Sequence, residues 1–258
     1  SLIKTLKFMA RRNFMGSNNP MLKDDVFRNS SNVLDAEAGF AQETMTVDGS
    51  INKTFTLFGV MLAACVLAYM FPSPIFMYGG FFGVLILSFV AARNLEKSST
   101  FAPLFSIALG LMAGSASVVY ASLFDGIILQ AVTLTFSIMF LMLTLYKSGI
   151  IKVTDRLRNI VSIATGAIMI TYLVSFVVSL FGGDLPFLHD MSPIGIGISL
   201  VIVGVASFKL LVDFDNFYKG EAMGAPKYME WYFGMGLMFT LVWLYMEILY
   251  LIAAFSSD

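Results

Sequence analysis

One acidic residue stands alone inside a long apolar stretch near the end of the chain. Glu247 lies in the run LVWLYMEILYLIAA, residues 241–254, which holds no other charge. A carboxylate in the hydrocarbon core of a membrane is costly unless it is neutralised or paired, and such residues mark ion paths and proton relays. Glu247 is therefore the first candidate for chemistry; the alternative is a protonated Glu that only packs against a neighbouring helix.

Two further acids close the preceding apolar run. Asp213 and Asp215 occur in KLLVDFDNFYK, residues 209–219. They lie about 200° apart on a helix, so only one can face the interior of a bundle. Two carboxyls held together in a low dielectric share a proton, and carboxylate oxygens are also the ligands that calcium prefers. The predicted site is a pH-sensitive latch, or a transient calcium site, that pairs Asp213 or Asp215 with Glu247.

Arg93 is a candidate basic partner for the predicted pair, and the two acids of the pair are expected at different depths in the membrane. Arg93 ends the second apolar run, where its side chain either reaches inward to a carboxylate or extends to the membrane surface. Asp213 lies near the inner end of its run and Glu247 near the middle of the next, so their contact requires helix tilt or boundaries shifted by about a turn. Glu230 is expected at the cytoplasmic interface, beside an aromatic belt that includes Trp231.

Four glycines are spaced for close contact between helices. Gly79 with Gly83, and Gly110 with Gly114, fit the small-xxx-small pattern that lets helix backbones approach closely. We interpret these positions as packing faces rather than as chemical sites.

Several kinds of site are excluded by the residues that the chain lacks. One cysteine, Cys65, and one histidine, His189, cannot build a Cys/His zinc site. The last span holds no Lys, which a retinal Schiff base needs there, and no glycine-rich nucleotide motif occurs. With 16 basic and 17 acidic residues, no positive field attracts nucleic acid. We predict that the protein is not an enzyme and has no cofactor, with calcium only as a candidate permeant ion.

The acids must be positioned by helices that cross a membrane. The 258 residues are 58% hydrophobic and 13% charged, with a mean hydropathy of +0.82, which is too apolar for a soluble domain. About 20 apolar residues cross the hydrocarbon core as a helix, and open sheets cannot cross it. We predict an all-α integral membrane protein with seven transmembrane helices at Thr54–Phe71, Ile75–Ala92, Phe101–Ser122, Gly126–Tyr146, Ile160–Phe181, Ile194–Val212 and Trp231–Phe255.

The basic residues predict the orientation of these helices. All 16 lie before or at the start of the first span, or at the second, fourth and sixth connections. The positive-inside rule therefore predicts a cytoplasmic N-terminus and a C-terminus outside. Residues 1–50 carry polar clusters such as SNNP and RNSSN, and we expect a cytoplasmic tail that is partly disordered or lies on the membrane surface. Residues 51–258 are expected to form the helix bundle.

Several segments resemble one known family. LLVDFD, which ends at Asp215, and WLYMEIL around Glu247 are similar to the two acidic motifs of the Bax inhibitor-1-like (transmembrane Bax inhibitor motif) family. GAPKYMEWY from Gly224 and MTVDGSINKT from Met45 resemble a bacterial subgroup of it. The resemblance covers roughly residues 40–255.

This resemblance implies a seven-helix protein of the bacterial inner membrane that acts as a pH-sensitive calcium leak. Asp213 would be the acid of helix six, Glu247 the acid of helix seven, and Arg93 the nearest candidate for a basic residue that engages the pair. The chain departs from the family pattern in having Glu at position 247, where Asp is typical, in carrying the additional Asp215, and in a longer linker before the last helix.

Two other functions stay open beside the leak. A non-conducting membrane protein could regulate other membrane complexes, such as a quality-control protease or a respiratory assembly, through its tail and glycine faces. A secondary transporter would use Glu247 as a proton carrier. The predicted partners are thus the lipid bilayer and other membrane proteins.

Overall fold

The computed structural model describes residues 43–183 and 192–256. Within these residues the chain forms seven long helices, with a short 3-10 helix at Leu95–Lys97 between the second and the third. The helices are α1 (Val47–Met70), α2 (Pro74–Arg93), α3 (Ser98–Ala121), α4 (Ile127–Lys147), α5 (Asp155–Leu180), α6 (Pro193–Ala222) and α7 (Met229–Ser256). All seven are long and apolar enough to cross a membrane, which confirms the predicted all-α fold with seven spans.

Four of the helices begin at a hydroxyl residue that caps the first turn. The side-chain oxygen of each accepts a hydrogen bond from a backbone N–H two or three residues further on, and this satisfies a donor that the helix leaves unpaired. The four caps are Thr46, Ser73, Thr154 and Ser192. Proline follows directly at the start of α2 and α6, where its missing N–H carries no cost.

Two helices extend beyond their predicted spans by seven residues or more. α1 begins at Val47 rather than Thr54, so the predicted division at residue 50 lies inside this helix. α6 continues to Ala222, ten residues past the predicted end at Val212. The prediction ended the sixth span where charges begin, but a helix continues through charged residues when they pair along its surface. The acids that follow Val212 therefore lie within α6 and not in a loop after it.

The last helix forms the centre of the bundle. α7 packs against α1, α3, α4 and α6, and 72% of its most apolar window is buried. α5 lies at the periphery, where it packs chiefly against α6 and buries only 6% of the corresponding window. Glu247 is thus carried by the most enclosed helix, and α5 is held by little apolar packing.

Glycine gives α1 and α3 their close contact. A Cβ atom at Gly110 would lie 2.2 Å from the carbonyl oxygen of Met61, and one at Gly114 would lie 2.3 Å from that of Cys65. The structure differs from the predicted pattern on α2. A Cβ atom at Gly79 would meet nothing within 4 Å, whereas one at Gly80 or at Gly83 would meet Ala108 of α3. The helix α2 turns its Gly80 face to the bundle, so Gly79 points away from α3.

Candidate functional site

Glu247 is buried where α5, α6 and α7 meet. Its carboxyl is 2% exposed and accepts hydrogen bonds from the hydroxyl of Tyr172 on α5 and, at 2.6 Å, from the hydroxyl of Ser199 on α6. Both donors are neutral, so they orient the carboxylate without cancelling a negative charge. Glu247, the isolated acid of the last apolar run, therefore connects α7 to α5 and α6 by hydrogen bonds.

Glu247 also lines a cavity inside the bundle. The cavity has a volume of about 430 Å³ and lies between α2, α3, α5 and α7. Most of its wall is apolar, and four aromatic side chains that carry a polar atom line it together with Glu247. These are Tyr120, Tyr172, Trp243 and Tyr250. The arrangement places one acid in a largely apolar chamber at membrane depth.

Asp213 forms a second buried acidic centre. Its carboxyl pairs with the ammonium of Lys209, one turn earlier on α6, and accepts a hydrogen bond of 2.6 Å from the hydroxyl of Thr240 on α7. It lines a separate cavity of about 320 Å³, together with Ser88, Lys209 and Asn216. The charge of Asp213 is thus balanced by a lysine side chain of the same helix.

Asp215 faces a third set of partners. It pairs with Arg158 of α5 and, at 3.0 Å, with Lys219 one turn later on α6. The hydroxyl of Tyr146 on α4 donates to it at 3.1 Å, and Arg158 also donates to the side-chain oxygen of Asn216 at 2.6 Å. Asp215 therefore ties α4 and α5 to α6 through charge-assisted contacts.

The structure does not bring Asp213 and Glu247 together. Asp213 contacts Thr240, and Glu247 lies seven positions further along α7, a rise of about 10 Å. The shared-proton latch between these two acids, expected from the sequence, is thus not formed here. Asp215 does not supply the pair either, since Arg158 and Lys219 engage it. The physical reason is the difference in depth, because Asp213 lies at the level of Thr240 and Glu247 at the level of Ser199.

The basic partners also differ from the expected one. Arg93 lies exposed at the end of α2, with its guanidinium 4.0 Å from the ring of Phe89, and makes no ion pair within the described residues. Lys209 and Arg158 engage the acids instead. The spacing of four residues between Lys209 and Asp213 was a signal for this pairing in the sequence, because such residues share one helix face.

A further buried acid joins the start of α7 to the start of α1. Glu230, expected at the membrane interface, is 2% exposed and accepts a hydrogen bond of 3.0 Å from the backbone N–H of Thr46. A Cβ at Gly49 would lie 2.1 Å from this carboxyl. Met45 donates its backbone N–H to Ala225 at 2.8 Å. The two segments that resemble the bacterial subgroup therefore contact each other.

The predictions for residues 1–42 and for His189 lie outside the described residues. Within the described ranges no group of three or more His, Cys, Asp or Glu side chains is arranged to hold a metal ion. The acids are thus distributed over separate centres, each with its own hydrogen-bond donors or cations.

Comparison with known proteins relates this arrangement to a family. A family model described as Bax inhibitor 1 like matches residues 19–257, nearly the whole chain. Searches of curated proteins and of solved structures found no match. The match includes all seven helices and the acids of α6 and α7, and the chain therefore belongs to the Bax inhibitor 1 like family.

Proposed function

We propose that the protein is a pH-sensitive cation leak with calcium as the permeant ion, in the inner membrane of a bacterium and without catalytic activity. The observation that carries this proposal is the buried carboxyl of Glu247 beside a cavity of about 430 Å³ in the middle of the bundle. An ionisable carboxyl beside an intramembrane cavity marks an ion path, and a change in its protonation can open or close that path.

The proposed gate is α5 rather than a pair of acids. α5 has little apolar packing, but Glu247 holds it through Tyr172 and Asp215 holds it through Arg158. Protonation removes the charge that strengthens each of these contacts. We therefore expect α5 to loosen, and the leak to rise, as the pH falls.

Calcium flux into liposomes tests the proposal. Wild-type flux should increase as the pH falls, whereas Glu247→Gln, whose neutral amide resembles the protonated acid, should conduct near the low-pH level at every pH. Glu230→Gln is the matched control, because Glu230 is equally buried but lies outside the cavity, and it should keep the wild-type profile. Absence of pH-dependent calcium movement, or a Glu247→Gln profile equal to wild type, would contradict the proposal.

A second candidate function is a non-conducting regulator of other membrane complexes, of the protease or respiratory type. The observation that favours it is the contact of Thr44 and Met45 with the connection between α6 and α7, because this contact joins the segment that leads into α1 to the loop between the two acid-bearing helices. Purification in mild detergent tests it with a variant that lacks residues 1–42. A stoichiometric partner that disappears with the deletion, together with absence of flux, would favour regulation over conduction.

A further inference from the structure

The cavity beside Glu247 has the size and lining of a small-molecule site. Its volume of about 430 Å³ lies within the range of ligand pockets, which are mostly apolar with a few polar groups that fix orientation. Here the polar groups are the carboxyl of Glu247 and the hydroxyls of Tyr120, Tyr172 and Tyr250. Such a site selects ligands by charge at one point and by apolar shape elsewhere.

The lining favours a positive charge at that point. The negative face of an aromatic ring attracts cations, and a buried aromatic wall is the usual site for ammonium groups that carry carbon substituents. Trp243 and three tyrosines line the cavity with Glu247. The hydroxyls of Tyr172 and Ser199 hold the carboxyl in place. An ion pair in these apolar surroundings is screened less than one in water.

The position of the cavity indicates how a ligand arrives. It lies between α2 and α5, and these helices pack chiefly against α3 and α6 rather than against each other. Phe176 of α5 meets Phe81 and Phe82 of α2, with ring centroids 4.7 and 5.6 Å apart, and these rings bridge the two helices. Because both helices are long and apolar enough to cross a membrane, we expect a ligand to partition into the lipid before it enters the gap between them.

We infer that this cavity binds an apolar organic cation, an amine or quaternary ammonium or phosphonium with hydrophobic substituents. The charge lies at Glu247, and the substituents lie among the aromatic and aliphatic side chains of α3, α5 and α7. The inference concerns the same carboxyl as the proposed leak, but binding is measured without ion flux, so each can fail while the other stands.

Equilibrium binding of radiolabelled tetraphenylphosphonium to the full chain in lipid nanodiscs tests the inference, with empty nanodiscs as the background. Tetraphenylborate is the matched ligand, because it has the same shape and apolar surface but the opposite charge. We expect saturable binding of the cation only. Glu247→Gln should weaken it by at least about tenfold, as expected for loss of a close, desolvated charge contact. Glu230→Gln should leave it unchanged.

A second variant keeps the test decisive if Glu247→Gln fails to fold. Met169 lines the same cavity from α5, and Met169→Trp should reduce cation binding by filling the space while leaving the carboxyl intact. Equal binding of the phosphonium and the borate would overturn the inference. So would cation binding that neither Glu247→Gln nor Met169→Trp changes.

Discussion

The acids of this protein differ in role because their neighbours differ. Glu247 could be singled out from the sequence, since it is the one charge in its run. Its donors Tyr172 and Ser199 could not, because they lie 75 and 48 residues away on other helices and only the register of helix packing joins them. The ion pair of Lys209 and Asp213 could be predicted from the spacing of four residues between them. Nothing in the local sequence shows that Glu230 is buried.

Adding a single methyl group at a glycine tests how closely α1 and α3 pack. Gly110→Ala should lower the free energy of unfolding by about 1–3 kcal/mol, because the new methyl group meets the backbone of α1 and overpacks the contact. Gly79→Ala is the control, since the same group meets nothing within 4 Å there and alanine favours a helix. Thermal unfolding in one detergent measures both. Equal stability of the two variants would show that α1 and α3 do not approach this closely.

At the scale of helices, polar contacts hold α5 in the bundle, because this helix has little apolar packing. α7 is held on several sides by other helices, whereas α5 depends on α6 and on hydrogen bonds and ion pairs from Tyr172 and Arg158. The hydropathy of α5 is as high as that of the other spans, so the sequence shows that it crosses the membrane but not that it lies at the edge. Burial depends on neighbours, and the pattern of one helix does not encode them.

Loss of one polar contact should therefore move α5. Spin labels at Ile163→Cys on α5 and Ile86→Cys on α2, both exposed positions, report the distance across the gap in a Cys65→Ser background. Tyr172→Phe should broaden the distribution toward longer distances, because the ring stays but its hydrogen bond to Glu247 is lost. Tyr69→Phe alters an exposed tyrosine and serves as the control. An unchanged distribution in Tyr172→Phe would remove α5 as the gate.

At the scale of the whole molecule, seven spans were predictable because length and hydropathy alone define them. The ends of the helices were less predictable. α1 and α6 continue through polar residues, and a hydropathy profile records where the apolar residues stop rather than where the helical hydrogen bonds stop. The contact between Met45 and Ala225 joins segments far apart in the chain, and the sequence indicated it only through a shared resemblance.

Orientation is a prediction for the whole molecule that labelling can check. In a Cys65→Ser background, Asp125→Cys between α3 and α4 should react with an impermeant maleimide in intact cells. Lys152→Cys between α4 and α5 should react only after the membrane is permeabilised, because the basic connections are expected in the cytoplasm. The opposite labelling pattern would reverse the proposed topology.

The hydrogen bond between Glu230 and the cap residue of the first helix also sets an order of events during synthesis. Glu230 follows Thr46 by 184 residues, so at ribosomal rates it is made roughly 10–40 s later. Until then the first turn of α1 lacks this acceptor, and Met45 lacks the carbonyl of Ala225. Residues 45 and 46 can therefore make their final contacts only after the last helix begins to emerge. A chain truncated before Glu230 would leave the backbone N–H of Thr46 without this acceptor.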